Sequence, residues 1–312
     1  MSRALASLVA LASLLAGCAG IPDDVRRLDP AAVAPELTDT PFYPQERYQC
    51  GPAALATVLD AGGVDVNLDR LVDQVYVPER QGSFQVELLA ATRRAGRIPY
   101  RIDGTLSALA AELAAGRPVL VMQNLGVSWY PRWHYAVVVG IDPVDETVVL
   151  RSGTERRRTT PWTTFLRTWQ RSDYWGFVAL QPGTLPATPE PGRYLRAVTD
   201  FETGGGGDAA LQAWRIGTQT WPTSALAWFG LANHQLAARH YADAESAYRQ
   251  AIAADPALWA ARNNLAYALH HQGRDDEAVA VLRAALAEIT DDRARAELGD
   301  SLREIEGGLP AN

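Results

Sequence analysis

The sequence predicts an α+β domain, in which a helix packs on a small antiparallel sheet, followed by an all-α domain of helical repeats. Three patterns predict this fold class. Residues 53–59 have helical spacing, and residues 134–142 form a continuous β-branched run typical of a central strand. Beyond residue 200 the apolar positions recur with a period of about 34 residues. A chain of 312 residues, 47% of them hydrophobic, is long enough for two cores.

The composition excludes several kinds of chemistry. The chain contains no lysine, so all 29 of its basic side chains are arginines, and a P-loop, a pyridoxal Schiff base and a Ser-Lys dyad are excluded. The net charge of −7 and the lack of a long basic run argue against a nucleic-acid partner. The histidines of the repeat region lack metal-ligand spacing, which favours packing roles for them. We therefore expect neither a metal nor another cofactor.

The first residues have the features of an exported lipoprotein. A charge at Arg3, an apolar run over 4–15 and small residues thereafter predict a secretory signal over residues 1–17, although an N-terminal helix is the alternative. The sequence of residues 15–18 (LAGC) resembles the bacterial lipobox, which implies that Cys18 is lipidated and begins the mature chain. By the same resemblance, the lack of an aspartate after Cys18 implies an anchor in the outer membrane, facing the periplasm of a bacterial cell envelope.

Residues 18–40 are rich in Pro, Ala and Asp without helical or strand period, and we interpret them as a tether. A domain over 41–181 follows, and its first helix places Cys50 at a helix start. Pro52 suits a first helical turn and Gly62 a helix end. The helix dipole and unpaired N–H groups then favour a thiolate at Cys50, while a buried structural cysteine is the alternative. If Cys18 is lipidated, Cys50 has no disulfide partner in the chain.

His134 opens the predicted central strand of this domain. The strand ends before Pro143 and should form a hairpin with a second strand over 147–151. Further strands are expected over 118–122 and 174–180. Helices are expected over 106–115 and 161–169.

A thiol at a helix start facing an imidazole at a strand start is the arrangement that a cysteine nucleophile needs. Residues 48–55 (YQCGPAAL) and 133–140 (WHYAVVVG) resemble the papain-like, bacteriocin-processing (double-glycine leader) cysteine peptidase family, over about residues 42–180. The resemblance implies that Cys50 is the nucleophile and His134 the general base and acid. It implies that Gln45, in preference to Gln49, stabilises the oxyanion.

One feature departs from this family. Its members place an Asp or Asn after the histidine strand to orient the imidazole, but residues 149–153 (VLRSG) contain neither. Asp142 is too far along the strand from His134, so Ser152 or a backbone carbonyl is the remaining candidate. Trp129 and Tyr130, which precede His134, are candidates for a wall of the substrate cleft. The arginine-rich residues 153–159 are interpreted as a solvated turn.

Residues 182–200 are interpreted as a Pro-rich linker to the repeat domain, residues 201–307. Residues 225–256 and the segment one period later have the tetratricopeptide pattern of large and small apolar positions. An earlier unit has its second helix after Asp208, a plausible N-cap, while its first helix is degenerate or missing. The last helix, over 292–305, acts as a cap.

Two functions fit these patterns. In the first, a lipid-anchored periplasmic cysteine peptidase hydrolyses peptide bonds, and its repeats recruit a peptide or protein substrate or a protein partner. The alternative is a catalytically inactive peptidase-like domain that acts with the repeats as a peptide- or protein-binding scaffold. Acyl transfer by the same residues is a third possibility. The repeats could equally support the first domain or dimerise.

Overall fold

The computed structural model describes residues 21–28, 35–45 and 49–307 of the chain. The predicted signal over residues 1–17 and the predicted lipidation site Cys18 lie outside these residues. The chain forms two compact units, one of residues 1–88 with 101–178 and one of residues 89–100 with 179–312. The second unit therefore includes a short segment from within the predicted domain 41–181. Among the described residues, no helix is both long enough and apolar enough to cross a membrane.

The described residues of the predicted domain over 41–181 contain five α-helices. They are α1 (Cys50–Ala61), α2 (Leu68–Val75), α3 (Gln85–Arg94), α4 (Leu106–Ala114) and α5 (Trp162–Gln170). Helix α1 is buried along most of its length, from Gly51 to Leu59. Gly62 is the C-cap of this helix, as the sequence predicts. A short 3₁₀ turn, Pro78–Arg80, lies between α2 and α3.

Six strands form one sheet. They are β1 (Ile98–Arg101), β2 (Val119–Asn124), β3 (Trp133–Asp142), β4 (Thr147–Ser152), β5 (Glu155–Pro161) and β6 (Gly176–Leu180), in the order β1-β6-β2-β3-β4-β5. The predicted hairpin of β3 and β4 is antiparallel, with Asp142 opposite Thr147. Strand β3 runs through the middle of the sheet, and its residues from Tyr135 to Val139 are almost completely buried. The sheet thus holds His134 at the beginning of its most buried strand.

The arginine-rich residues 153–159 were expected to form a solvated turn. Gly153 and Thr154 do form a turn, but residues 155–159 form most of β5. This strand pairs antiparallel with β4, from Thr147 opposite Pro161 to Ser152 opposite Glu155. Most of its side chains are exposed. Backbone pairing rather than side-chain burial therefore stabilises it, and its charges are typical of a protected sheet edge.

The predicted tether over residues 18–40 is also corrected by the structure. A helical turn, Asp23–Arg26, buries Val25, and the Ser107 hydroxyl donates to the Arg27 carbonyl at 2.7 Å. Further along, the Leu37 N–H donates to the Val139 carbonyl of β3 at 2.8 Å. The described parts of residues 18–40 thus pack on the sheet and on α4.

Arg151 holds residues 37–40 in place. Its side chain is 3% exposed, and its guanidinium donates to the carbonyls of Leu37, Thr38 and Thr40. It also donates to the carbonyl of Arg156. Such a planar group with five N–H donors can bind several carbonyls that are distant in sequence, which no local pattern predicts.

The second unit contains the helices that follow the sheet. They are α6 (Pro191–Phe201), α7 (Ala209–Thr220), α8 (Ala225–Ala237), α9 (Tyr241–Ala254), α10 (Trp259–His270), α11 (Asp275–Glu288) and α12 (Asp292–Gly307). Small residues at the repeated positions are fully buried, which lets the paired helices approach closely: Ala232, Ala244, Ala251, Ala266 and Ala278. The predicted repeats and the terminal helix are thus present.

The predicted linker over 182–200 is partly wrong, because its second half is helix α6. Pro191 occupies the first turn of this helix, and the Glu190 side chain accepts hydrogen bonds from the N–H groups of Gly192 and Arg193. Helix α6 supplies the first helix of the earlier unit, which the sequence predicted to be degenerate or missing. Asp208 precedes α7 as expected, but its side chain makes no capping hydrogen bond.

Candidate active site

Cys50 is the first residue of α1, and the local sequence explains how the thiol is positioned. Gln49, at the N-cap position, makes no side-chain capping hydrogen bond, so the first N–H groups of the helix stay available near the sulfur. Gly51 packs so closely against Ser83 that any Cβ at this position would overlap the Ser83 hydroxyl. Glycine at position 51 therefore lets the helix start approach the segment that carries Ser83.

The structure does not support the expected thiolate at Cys50. Burial raises the pKa of the Cys50 thiol, and hydrogen bonds from the backbone of Tyr135, Gly51 and Cys50 itself oppose this without outweighing it. The favourable effect of the helix start is thus present, but desolvation of the charged form is larger. The raised pKa favours the thiol over the thiolate at neutral pH.

His134 lies at the beginning of β3, where its imidazole is oriented by Ser152. The Nε2 atom of His134 lies 2.8 Å from the Ser152 Oγ. The register explains this contact: Val137 pairs with Arg151, so Ser152 lies beside Ala136, on the same face of the sheet as His134. Ser152 is 3% exposed and therefore gives a well-ordered partner. The sequence left Ser152 or a backbone carbonyl as the group that orients the imidazole. In the structure the Ser152 side chain makes this contact.

The imidazole of His134 is neutral at physiological pH. Burial, together with the positive charge of Arg158, lowers its pKa to about 4. Nε2 is engaged by Ser152, so Nδ1 can accept a proton in the tautomer in which Nε2–H donates to the Ser152 hydroxyl. Asp142 takes no part here, since its carboxylate accepts the N–H groups of Val144 and Asp145 in the β3–β4 turn.

Gln45 lies beside the other two predicted residues. Its backbone N–H donates to the Gly153 carbonyl at 3.1 Å, and its side-chain amide makes a long contact of 3.5 Å with the Tyr135 carbonyl. The Tyr135 backbone therefore contacts both residues, since it also hydrogen-bonds to the Cys50 thiol.

A cleft of about 910 Å³ brings the three residues together. Cys50, His134 and Gln45 all line it, whereas Gln49 is not among its lining residues. Its volume is in the range of sites that bind a small molecule or a short peptide segment. A thiol, an imidazole and a side-chain amide from three separate segments of the chain therefore line one solvent-accessible space.

The walls of the cleft differ from those expected. Trp129 and Tyr130 are 86% and 73% exposed and do not line the cleft. One wall is formed by residues 131–133, which follow them, and the other by residues 80–85. Sequence reasoning missed the second wall, because residues 80–85 have no helical or strand period. The one signal was an aromatic side chain, Phe84, in an otherwise polar segment.

Ser83, in this second wall, contains an unusual polar group. Its Oγ is buried and has no hydrogen-bond partner in the described part of the chain, whereas its carbonyl accepts from the Tyr135 hydroxyl at 3.1 Å. The same two residues, Ser83 and Tyr135, therefore connect the second wall to β3. Among the described residues, no group of three or more His, Cys, Asp or Glu side chains could hold a metal ion.

These features define a cysteine–histidine site on an α+β domain with an antiparallel sheet. Comparison with protein families agrees: residues 37–176 match the Peptidase_C39 like family, and residues 229–297 match the tetratricopeptide repeat family. The N-terminal domain is therefore a C39-peptidase-like domain, and tetratricopeptide repeats follow it, as the sequence resemblance implied. No curated protein sequence matches the chain.

Several solved structures resemble parts of the chain. A C39-like peptidase from Bacillus anthracis is 16% identical, with a TM-score of 0.40, and the match covers 47% of this chain and 98% of that one. The TPR2B domain of yeast Sti1, solved in a complex with pHsp70, is 18% identical with a TM-score of 0.36, covering 38% of this chain and 98% of that one. The first tetratricopeptide repeat domain of Spaghetti (RPAP3), bound to an HSP90 peptide, is 19% identical with a TM-score of 0.34. The match covers 38% of this chain and 90% of that one.

Proposed function

We propose that this protein is a lipid-anchored periplasmic cysteine peptidase that hydrolyses peptide bonds in a peptide or protein substrate. The observation that carries the proposal is the shared cleft, which Cys50, His134 and Gln45 all line while the Ser152 Oγ lies 2.8 Å from the His134 Nε2. A nucleophile, a base and an orienting group for the base are the parts that covalent catalysis needs.

The protonation states suggest how the reaction begins. With a neutral thiol and a neutral imidazole at rest, His134 acts as a general base, taking the thiol proton on Nδ1 while the sulfur attacks the substrate carbonyl. The C–S bond forms as the carbonyl π bond becomes an oxyanion. The N–H of Cys50 and the amide of Gln45 stabilise this oxyanion, for which the Gln45 amide leaves its long contact with the Tyr135 carbonyl.

The remaining steps follow from the same residues. His134 returns the proton to the leaving amine as the C–N bond breaks, which leaves a thioester on Cys50. A water molecule, deprotonated by His134, then hydrolyses the thioester and releases the free thiol. Ser152 accepts the Nε2–H throughout and holds the ring in the tautomer that keeps Nδ1 basic.

A degenerate library of internally quenched fluorogenic peptides tests hydrolysis. The purified protein should cleave members of the library, and Cys50→Ala and His134→Ala should each lose this activity. His240→Ala is the matched control, because His240 is an exposed histidine of the repeats and should retain full activity. Activity that survives Cys50→Ala would rule out the thioester route.

A binding scaffold is the second candidate, and one observation favours it. Burial raises the pKa of Cys50, and no hydrogen bond joins its thiol to the imidazole within the part of the chain that the structure describes. A scaffold should bind library peptides equally well before and after Cys50→Ala and release no cleavage products. Acyl transfer is distinguished by adding amine acceptors, since mass spectrometry would then detect the aminolysis product in place of the free acid.

The lipid anchor and the location rest on the predicted lipobox. Metabolic labelling with radioactive palmitate in a bacterial host should label the wild type, and Cys18→Ala should lose the label. Cys50→Ala is the matched control and should remain labelled, since it removes the other cysteine of the chain. Membrane fractionation should place the labelled protein in the outer membrane, and recovery of unlabelled wild type in the soluble fraction would contradict the anchor.

The repeats should recruit the substrate or a protein partner, because arrays of this kind present an extended concave surface. A protein substrate should then have a higher kcat/KM than a short peptide with the same cleavage site. Sedimentation velocity tests the alternative of dimerisation, which predicts a concentration-dependent increase in mass. Equal kcat/KM for protein and peptide, with a constant monomer mass, would instead favour a supporting role for the repeats.

A further inference from the structure

The cleft that contains Cys50 is positively charged in a protein whose net charge is −7. Among the described residues that line it, the charged ones are Arg80 and Arg132, and no Asp or Glu is present. Arg80 ends the 3₁₀ turn in one wall, and Arg132 belongs to the opposite wall. Both side chains are exposed, and neither forms an ion pair with another described residue.

A third arginine, Arg158, acts on the imidazole without lining the cleft. After burial, its charge is the second cause of the low pKa of His134. Its guanidinium also lies 3.5 Å from the Glu155 carboxylate, so the positive charge of the cleft depends on Arg80 and Arg132.

Two aromatic side chains line the same space. Phe84 is 47% exposed in the wall that contains Arg80, and Trp133 is 53% exposed in the wall that contains Arg132. Single exposed apolar residues are ordinary on protein surfaces, but a pair that lines one concave site is typical of a binding pocket. Each wall thus offers one guanidinium and one aromatic ring.

We propose that this cleft selects an extended peptide segment in which a carboxylate neighbours a large apolar side chain. The carboxylate binds Arg80 and Arg132, and the apolar side chain packs between Phe84 and Trp133. Guanidinium groups suit this role because their paired N–H donors match the two oxygens of a carboxylate. The cleavage of such a segment rests on the proposed peptidase function, whereas its binding does not.

The carboxylate could belong to an Asp or Glu side chain or to the C-terminus of the peptide. Both have the same chemistry, so the test uses each peptide with a free acid and with an amidated C-terminus. A phosphate backbone would also bind arginine. However, nucleic-acid sites have extended basic patches, whereas this protein has an acidic net charge and two arginines among the described residues that line the cleft, which favours a peptide. Competition by a single-stranded oligonucleotide is therefore included as an opposing outcome.

The experiment compares two sets of peptides that share an apolar core. The acidic set has Asp or Glu at the flanking positions, and the neutral set has the isosteric Asn or Gln there. Binding to Cys50→Ala is measured by fluorescence anisotropy, and cleavage by the wild type is measured as kcat/KM. Two partly exposed ion pairs together predict a preference of about tenfold for the acidic peptides. Combining Arg80→Gln with Arg132→Gln should reduce the ratio of acidic to neutral peptide from about tenfold towards one. The double variant is made in the wild type to measure cleavage and in Cys50→Ala to measure binding.

Arg70→Gln is the matched control, because it removes one exposed arginine of α2 that does not line the cleft. It should keep the tenfold preference. A parallel pair, Phe84→Ser and Trp133→Ser, should weaken the binding of acidic and neutral peptides alike. All of these positions are exposed, so the variants should fold.

The outcomes separate this inference from the proposed function. If Cys50→Ala prefers acidic peptides through its arginines while the wild type cleaves none, the peptidase proposal fails and the ligand class stands. If the wild type cleaves acidic and neutral peptides equally, the peptidase proposal stands and the ligand class is overturned. Three other outcomes would also overturn the ligand class. The double arginine variant could retain the preference, the oligonucleotide could displace the peptide, or no peptide could bind.

Discussion

The role of Ser152 as the group that orients His134 leads to a prediction with a measurable size. In the structure the Ser152 Oγ is the hydrogen-bond partner of Nε2 at 2.8 Å, in a position that is 3% exposed. In the proposed mechanism the Ser152 hydroxyl accepts Nε2–H, so Ser152→Ala removes this partner and leaves a buried N–H without an acceptor. The ring is then free to adopt the tautomer that protonates Nδ1, which cannot accept the thiol proton.

The expected loss follows from the cost of an unsatisfied buried donor, about 1 to 3 kcal/mol. If this cost falls on the reactive orientation of the ring, kcat should decrease by about fivefold to a hundredfold, because each 1.36 kcal/mol is a factor of ten. Ser152→Thr keeps the hydroxyl and is the matched control. Its kcat should fall less than that of Ser152→Ala because the Nε2 partner is retained, and the cost of the added buried methyl group is measured separately as the change in the free energy of unfolding.

Ser152→Asp tests the same contact in the opposite direction. A carboxylate next to the imidazole should raise the pKa of His134, which is about 4 in the wild type, by about 1 to 3. The acidic limb of the profile of kcat/KM against pH should move up by the same amount. Ser152→Asn supplies a neutral acceptor and should leave the limb in place.

Proton NMR of the histidine rings checks this prediction without any substrate. The five histidines of the chain are assigned by comparison with His134→Ala, and the His134 resonance is followed from pH 3 to 9 in each variant. A His134 pKa that is the same in Ser152→Asp as in the wild type would refute the orienting role. So would a Ser152→Ala enzyme with unchanged kcat.

Three further predictions concern the thiol, the imidazole and the buried arginine. Because burial raises the pKa of Cys50, iodoacetamide should alkylate it more slowly at pH 7 than it alkylates the same thiol in urea-unfolded protein, and a faster reaction in the folded state would contradict this. The folded-state pKa of His134, about 4, lies below its ordinary value of 6.5, so the unfolded chain binds more protons between these values and stability falls as the pH falls. Urea titrations should find that the free energy of unfolding decreases by about 3 kcal/mol more in the wild type than in His134→Gln between pH 6.5 and 4. Arg151→Met leaves several carbonyls without their donor and should lower the free energy of unfolding by about 3 to 5 kcal/mol, whereas the exposed Arg157→Met should change it by less than about 1 kcal/mol.

The elements that the sequence predicted well are those whose signals are local. The β-branched run of β3 and the turn before Thr147 specify the hairpin, because both strands and their connection lie within 20 consecutive residues. Pro52 and Gly62 likewise delimit α1. The positions of Cys50 and His134 in the fold follow from these two elements, and so the sequence predicted both.

The features that the sequence did not predict depend on distant residues. Strand β5 has no apolar alternation and is specified by the neighbouring backbone of β4. Helix α6 begins at a proline within a Pro-rich stretch, and its buried face, which includes Tyr194 and Val198, packs only when the later helices are in place. The wall of residues 80–85 has no period at all, so its place beside Cys50 is fixed by tertiary contacts such as that of Ser83 with Tyr135.

The missing carboxylate of the cysteine peptidase family has a structural explanation in three consecutive residues at the end of β4. Arg151 holds the segment of residues 37–40, which leads to Gln45, and the Gly153 carbonyl accepts the Gln45 N–H. Gly153 can turn the chain here because its φ is +63°, where a side chain would be strained. Between these two residues, Ser152 holds His134. A search by residue type finds no Asp or Asn at this place, but the backbone and the two side chains together position both His134 and Gln45. Loss of activity in Arg151→Met should therefore exceed the loss expected from unfolding alone, because the variant displaces Gln45 even in molecules that remain folded.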